Sequence, residues 1–262
     1  MASALLRRLL PMRAEPIESS LNCDPGKMHS SDRSPDSAIQ PKVIENSTRF
    51  TVVDLLEGNR NIGIELGVAQ GEYSAAMMKS GKFASFYGVD VYGDHHDTHE
   101  YIATLKRIGI TENYKLIRAL FSDAIELFDD DYFDFVYVDG YAHTGEEGGE
   151  TIFEWSRKLK VGGIMAGDDY HEDWPLVIRS VHEFCRQTGF ELLVTDRVDP
   201  GSQWSKYPTW VVRKTHDVRH SAPAAMVAHG KSRKYVGGSS NNPIVNLAQR
   251  ALRKLRRLRG GR

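Results

Sequence analysis

The segment Asn61-Ile-Gly-Ile-Glu65-Leu-Gly67-Val-Ala-Gln-Gly71-Glu-Tyr-Ser74 decides how this chain is read. A short apolar run ends on a carboxylate, two glycines follow four residues apart, and a helix-like stretch begins at Tyr73. This is how a buried strand turns sharply into a helix. The dinucleotide pattern Gly-x-Gly-x-x-Gly is absent, because no third glycine completes it. A glycine turn opened by Glu65 suits a cofactor carrying a cationic amino group better than it suits a pyrophosphate. A tight strand-helix turn with nothing bound is the plain alternative at this point.

The same alternation continues outward from that turn. Strand-like runs are expected at Ser85–Asp90, Tyr114–Arg118, Phe133–Asp139 and Gly163–Gly167, with two more at Glu191–Thr195 and Thr209–Arg213. Helical stretches fall between them at Thr98–Arg107, Asp123–Phe128, Glu147–Leu159 and Trp174–Gln187. Alternation of this kind predicts an α/β domain of Rossmann-like, doubly wound form, with a mostly parallel sheet covered on both faces. Ligands of such sheets bind at the carboxyl ends of the strands, so the chemistry is sought just after each run.

Several carboxylates stand there. Asp90 ends Tyr87-Gly-Val-Asp90, and its two acceptor oxygens suit the vicinal hydroxyls of a ribose. Capping of the next segment is the other role open to it. Ser122-Asp123 follow the third run, where an adenine edge would lie; they also read as a helix N-cap, the role the pattern favours. Asp139 closes Tyr137-Val-Asp139-Gly-Tyr-Ala-His143, and Asp168 and Asp169 close Gly162-Gly-Ile-Met-Ala-Gly-Asp168-Asp169. Three carboxylates at adjacent strand tips would repel one another, and a hard cation such as Mg²⁺ would relieve this. Helix capping would use the same acids without metal. His143, four residues beyond Asp139, is the candidate general base, in competition with His171 and the His-rich run Asp94–His99.

The 262 residues are 40% hydrophobic and 26% charged, the balance of a soluble globular protein. No apolar run approaches the roughly 20 residues of a membrane-spanning helix. Two distant cysteines, Cys23 and Cys185, argue against a disulfide framework or zinc site and fit a reducing cytoplasm. The net charge of −1 hides an asymmetry: residues 213–262 hold thirteen Lys and Arg against the one acid Asp217. Three regions follow: an N-terminal arm over 1–45, a catalytic domain over 46–214, and a basic flexible tail over 215–262. In the tail, Asn246–Arg259 sets Leu and Ala on one helical face and Arg250, Arg253, Lys254, Arg256 and Arg257 on the other. Such a helix can lie on an anionic membrane. Nucleic acid is the weaker partner, since the stretch has no aromatic to stack on bases. A homo-oligomer is compatible with the sequence.

Glu65-x-Gly-x-x-x-Gly71, Gly88-Val-Asp90, Phe133-Asp-Phe-Val-Tyr-Val-Asp-Gly140 and Lys158-Leu-Lys-x-Gly-Gly-Ile164 with Gly167-Asp-Asp-Tyr170 together resemble class I S-adenosylmethionine-dependent methyltransferases. The nearest branch is methyltransferase domain family 24, which includes macrocin-type sugar O-methyltransferases. The resemblance spans about residues 49–214. It implies seven strands in the order 3-2-1-4-5-7-6 with the seventh antiparallel. It places the cofactor's methionine part on the Glu65–Gly71 loop and its ribose on Asp90; Ser122 and Asp139, after the third and fourth runs, complete the candidate cofactor contacts. It also implies Mg²⁺ on Asp139, Asp168 and Asp169. Tyr141 departs from the branch, which can carry an acid there, and this leaves the base to His143. The implied reaction is O-methylation of a saccharide or small hydroxylated metabolite. A nucleotide-binding oxidoreductase and a non-catalytic methyltransferase-like module are the rivals. The first lacks its glycine fingerprint; the second would not need Glu65, Gly67, Gly71 and Asp90.

Overall fold

The computed structural model describes residues 39–232 apart from 94–97, 141, 143, 144 and 203, all within one compact unit, Ala38–Arg262. His143 and the basic segment 246–259 lie outside the described residues. Chain order runs β1 (Lys42–Ile44), a 3-10 turn (Val52–Leu55), β2 (Asn61–Leu66), α1 (Glu72–Lys79), β3 (Phe83–Asp90), α2 (Thr98–Ile108), β4 (Tyr114–Arg118) and α3 (Phe121–Ala124). A second 3-10 turn (Ile125–Leu127) follows, then β5 (Phe133–Val138), α4 (Glu150–Ser156), β6 (Leu159–Gly167), α5 (Pro175–Thr188), β7 (Leu192–Thr195), β8 (Trp210–Arg213) and α6 (Ala224–Ser232).

The strands form an eight-stranded sheet in the order β1-β7-β8-β6-β5-β2-β3-β4. All neighbouring pairs are parallel except those of β8, which runs antiparallel to both β6 and β7. Without β1, this is the order that the resemblance implied. The eighth strand is a correction: β1 extends the sheet from a stretch expected to be a mobile arm, pairing Lys42 with Leu193 and Ile44 with Thr195. The domain also reaches past Lys214, since α6 lies in the expected tail.

Alternating side chains of each inner strand go to opposite faces, which a sheet covered on both sides requires. On β5, Val136 and Val138 join a core with Phe153 and Trp155 of α4 and Val181 and Phe184 of α5. Phe135 and Tyr137 point the other way, toward Val52, Val53, and Tyr73 and Met77 of α1. Each large apolar side chain buried in this way contributes roughly 1.5–3 kcal/mol relative to exposure. The helix α5 shows the local logic. Pro175 opens it, Val177, Val181, Phe184, Cys185 and Thr188 form its buried stripe, and Gly189 ends it at φ 73°. The chain moves outward through β2, β3 and β4, then returns to the other side of β2 as β5. The switch point therefore lies between the ends of β2 and β5.

Candidate active site at the carboxyl ends of the strands

The two connections at the switch point touch backbone to backbone. Gly67 sits at φ 99°, and a Cβ there would lie 2.2 Å from Gly140 N; a Cβ on Gly140 would come within 2.9 Å of Gly67 Cα. Glycine is thus required at Gly67 by the neighbouring protein loop and not by a ligand's approach. The same holds at Gly71, whose open face is filled by Thr104 of α2.

Asp90 organises this loop. Its Oδ2 accepts hydrogen bonds from Val68 N and Ala69 N, both at 2.9 Å, and its Oδ1 accepts one from Tyr92 N at 3.0 Å. The Tyr92 hydroxyl and Thr104 Oγ1 both donate to the Ala69 carbonyl, at 3.0 and 2.8 Å. That pins Ala69 at φ 46°, a left-handed conformation costly for a residue with a Cβ. Gly67 N donates to Val89 O and Gly71 N to Val68 O, each at 2.8 Å. The amides of Gly67, Val68, Ala69 and Gly71 are therefore all used within the protein.

Glu65 is more deeply placed than its motif suggested. It is buried, the Ser74 hydroxyl donates to its Oε2, and the Tyr114 hydroxyl donates to Ser74 Oγ at 3.0 Å. Burial, helped by the Asp139 charge, holds the Glu65 carboxyl well above the usual carboxylate range, against the opposing Ser74 hydrogen bond. Ser122 is exposed inside the first turn of α3. The N-cap of that helix is Leu120, with no side-chain cap, so the capping role expected of Ser122-Asp123 is corrected. The helix begins earlier because Phe121 and Ala124 must both reach the core. Two apolar side chains that the sequence reading passed over, Val91 and Leu120, remain 37% and 45% exposed after neighbouring strands β3 and β4. They offer apolar faces for a planar base.

The greatest departure from expectation is at the tips of β5 and β6. Arg49, only 4% exposed, reaches between them. Its Nη1 donates to Asp168 Oδ2 at 2.6 Å and its Nη2 to Asp139 Oδ2 at 3.1 Å. Nη1 also donates to the Trp204 carbonyl at 3.3 Å. The rings of Phe50, Tyr73 and Tyr137 surround the guanidinium at 5.6, 5.0 and 5.3 Å from their centroids. The Tyr137 hydroxyl donates to Asp168 Oδ1 at 2.6 Å, and Gly140 N donates to Asp139 Oδ1 at 2.7 Å. Burial opposes the charge of Arg49, but Asp168, Tyr137 and Asp139 outweigh it and push its pKa upward. The side chain is a permanent cation.

The set expected to hold Mg²⁺ does not fit that ion. Asp139 and Asp168 already share a cation, and the backbone at Asp169 is left-handed, at φ 61°. Mg²⁺ keeps several waters in a strict octahedron, and a cage walled by three aromatic rings suits a flat, weakly hydrated guanidinium instead. Among the described residues, no group of three or more His, Cys, Asp or Glu side chains is arranged to hold a metal. Sequence reasoning missed Arg49 because a lone arginine beside Phe50 carries no motif. The available signal was the convergence of three acids, which demands a cation without saying which.

Arg49 reaches the site because β1 runs beside β7. The carboxylate of Asp196, just after β7, accepts from Asn46 N and Ser47 N at 3.0 and 2.9 Å, turning the chain across the strand ends. The connection from β7 to β8 closes over the same edge: Ser202 Oγ donates to Glu72 Oε2 at 2.9 Å, and Trp204 is 43% exposed. His171 stacks on Tyr207 with centroids 4.6 Å apart, adding a second aromatic surface.

No curated protein matches this sequence. Among solved structures, similar folds include a cofactor-bound protein from MTB (14% identity, 64% of this chain and 80% of that one, TM-score 0.49). Another is an O-methyltransferase from Bacillus cereus in complex with SAH (13%, 63% and 79%, TM-score 0.47). A third is the N-methyltransferase NodS from Bradyrhizobium japonicum WM9 (12%, 64% and 93%, TM-score 0.46). The family model described as a methyltransferase domain, family 24, matches residues 64–170, which run from β2 through the carboxylates after β6. Residues 64–170, spanning β2 to the carboxylates after β6, are thus similar to the methyltransferase domain of family 24.

Proposed function

We propose that this chain transfers a methyl group from S-adenosylmethionine to a hydroxyl oxygen of a saccharide or small hydroxylated metabolite. The observation that carries the reading is the use of the loop amides. A pyrophosphate at a strand-helix turn needs free N–H groups, and here the amides of Gly67, Val68, Ala69 and Gly71 are bonded within the protein. With its amides used, the loop disfavours the nucleotide-binding oxidoreductase, while the partly exposed Val91 and Leu120 nearby suit an adenine ring.

The residues present fit such a cofactor. The Tyr73 hydroxyl is buried beside the loop with no hydrogen-bond partner among the described residues, a donor left over for a ligand. Val91 and Leu120 flank the expected adenine position, and the outer lone pairs of Asp90 the expected ribose. When bound, the cofactor supplies a sulfonium methyl: its carbon–sulfur bond breaks as the carbon–oxygen bond forms, the electron pair returns to sulfur, and the acceptor's proton departs. Alignment of the acceptor oxygen is the protein's main contribution and can be worth several kcal/mol. The exposed Trp204 and the Tyr207–His171 pair give a sugar ring apolar surfaces with polar edges at the mouth. The proton falls to His143, the base expected from sequence.

Calorimetry with S-adenosylhomocysteine and with NAD tests the reading. Binding of the first alone is the expected outcome; binding of NAD alone, or of neither, refutes it. The cytoplasmic, peripherally docked placement suggested by the basic tail stays part of the proposal. No described helix is long and apolar enough to cross a membrane.

A further inference from the structure

We propose that Arg49 is the resident cation of this site, a guanidinium fixed between Asp139 and Asp168 where a divalent metal would otherwise be held. Three features of the geometry carry this. The guanidinium bonds both carboxylates, at 3.1 and 2.6 Å, so the two acids most able to share a metal already share a charge. The aromatic cage of Phe50, Tyr73 and Tyr137 presents ring faces that stabilise an organic cation and offer little to the water shell of Mg²⁺. The segment bearing Arg49 is anchored: the Asp196 carboxylate holds Asn46 and Ser47, and Arg197 N donates to Ser47 O at 3.0 Å. A cation held in this way is part of the fold and does not exchange with solvent.

The consequence reaches the acceptor. A metal centre selects acceptors that chelate through two adjacent oxygens and lowers the pKa of the reacting one. A guanidinium already bonded by two carboxylates does neither. Acceptors are then chosen by hydrogen bonds and by stacking at the mouth, and Arg49 is a positioning residue that holds the β5 and β6 carboxylates in place. This inference goes beyond the transfer reading, and its test does not require turnover.

Mn²⁺ is the probe, titrated into the full-length chain and followed by the electron paramagnetic resonance signal of the free ion. Wild-type protein is expected to leave Mn²⁺ free at millimolar concentration, and its melting temperature to be the same in Mg²⁺ and in EDTA. Arg49→Met uncovers the two acids and is expected to bind Mn²⁺ at least tenfold more tightly, a gain removed by adding Asp139→Asn. Should Arg49→Met fail to fold, wild type compared with Asp139→Asn still decides the matter. Wild-type Mn²⁺ binding that Asp139→Asn abolishes overturns the proposal, as does a folded Arg49→Met chain that gains no Mn²⁺. Wild-type binding that Asp139→Asn leaves unchanged lies elsewhere and upholds it.

Discussion

Replacing Asp90 with Ala withdraws the acceptor from three backbone amides at once. Val68 N and Ala69 N lie 2.9 Å from one carboxylate oxygen and Tyr92 N lies 3.0 Å from the other. Hydrogen bonds to a charged partner contribute roughly 1.5–3 kcal/mol each. The three together would give about 4.5–9 kcal/mol if nothing relaxed. Ala69 and Tyr92 are both left-handed, at φ 46° and 45°, and can relax once released, which recovers part of that loss. A net destabilisation of about 3–5 kcal/mol is expected. Binding should suffer separately, because a loop no longer held in shape must be ordered by the ligand; S-adenosylhomocysteine affinity should fall at least tenfold, about 1.4 kcal/mol. Asp90→Asn is the informative partner. With its amide nitrogen turned toward Tyr92 N, it keeps the two bonds to Val68 and Ala69, so its loss should be well under that of Ala. Urea unfolding and calorimetry measure the two quantities. An Asp90→Ala chain as stable as wild type, or an Asn variant as damaged as Ala, would refute the clamp.

Three other perturbations follow from the geometry. Gly67→Ala puts a Cβ 2.2 Å from Gly140 N in a backbone at φ 99°, and should lower stability by at least about 2–4 kcal/mol or prevent folding; a normal melting curve would mean that the loops do not cross as described. Arg49→Met leaves the side chains of Asp139 and Asp168, 22% and 7% exposed, without their shared cation. The expected loss is about 3–5 kcal/mol, partly restored by adding Asp168→Asn, and a double-mutant cycle with no coupling would count against the bridge. Glu147, whose oxygens accept from Gly149 N and Thr151 N, is pushed by burial from 4.5 to about 7. A raised folded pKa gives stability that is complete below the unfolded value and lost as pH rises through about 7. Unfolding free energy should therefore fall between pH 5 and 8 by up to about 3 kcal/mol, and Glu147→Gln should flatten that slope.

The sheet was largely legible because parallel strands buried on both faces must be continuous apolar runs. Tyr114–Arg118 matches its strand to the residue, and Asp90 and Gly167 end theirs as expected. Helix limits were read less well. Leu159 was expected in a helix and begins β6, because its side chain packs in the core beside Phe133 and Trp155. The β1 strand escaped notice for a physical reason: three edge residues with the burial pattern exposed, exposed, half-buried have no amphipathic signature. Losing β1 meant losing Arg49, which β1 delivers. The positions of Asp139 and Asp168 just after their strands were legible, whereas their pairing with Arg49 was not. Position along a strand is a local property, and the pairing of Arg49 with Asp168 joins residues 119 apart.

The pairing of β1 with β7 has a consequence for synthesis. On the ribosome, Arg49 emerges early, but the strand beside which its segment must lie, Leu192–Thr195, appears near the end of the domain. The strands β2 to β6 can assemble meanwhile, leaving Asp139 and Asp168 as facing negative charges in a forming core. Because β7 reaches the sheet only through β8, the early segment can be seated only once Trp210–Arg213 has also been made. Docking of the first strand is therefore the event that brings Arg49 to the site, and a chain interrupted before β8 would hold its carboxylates without the cation that belongs between them.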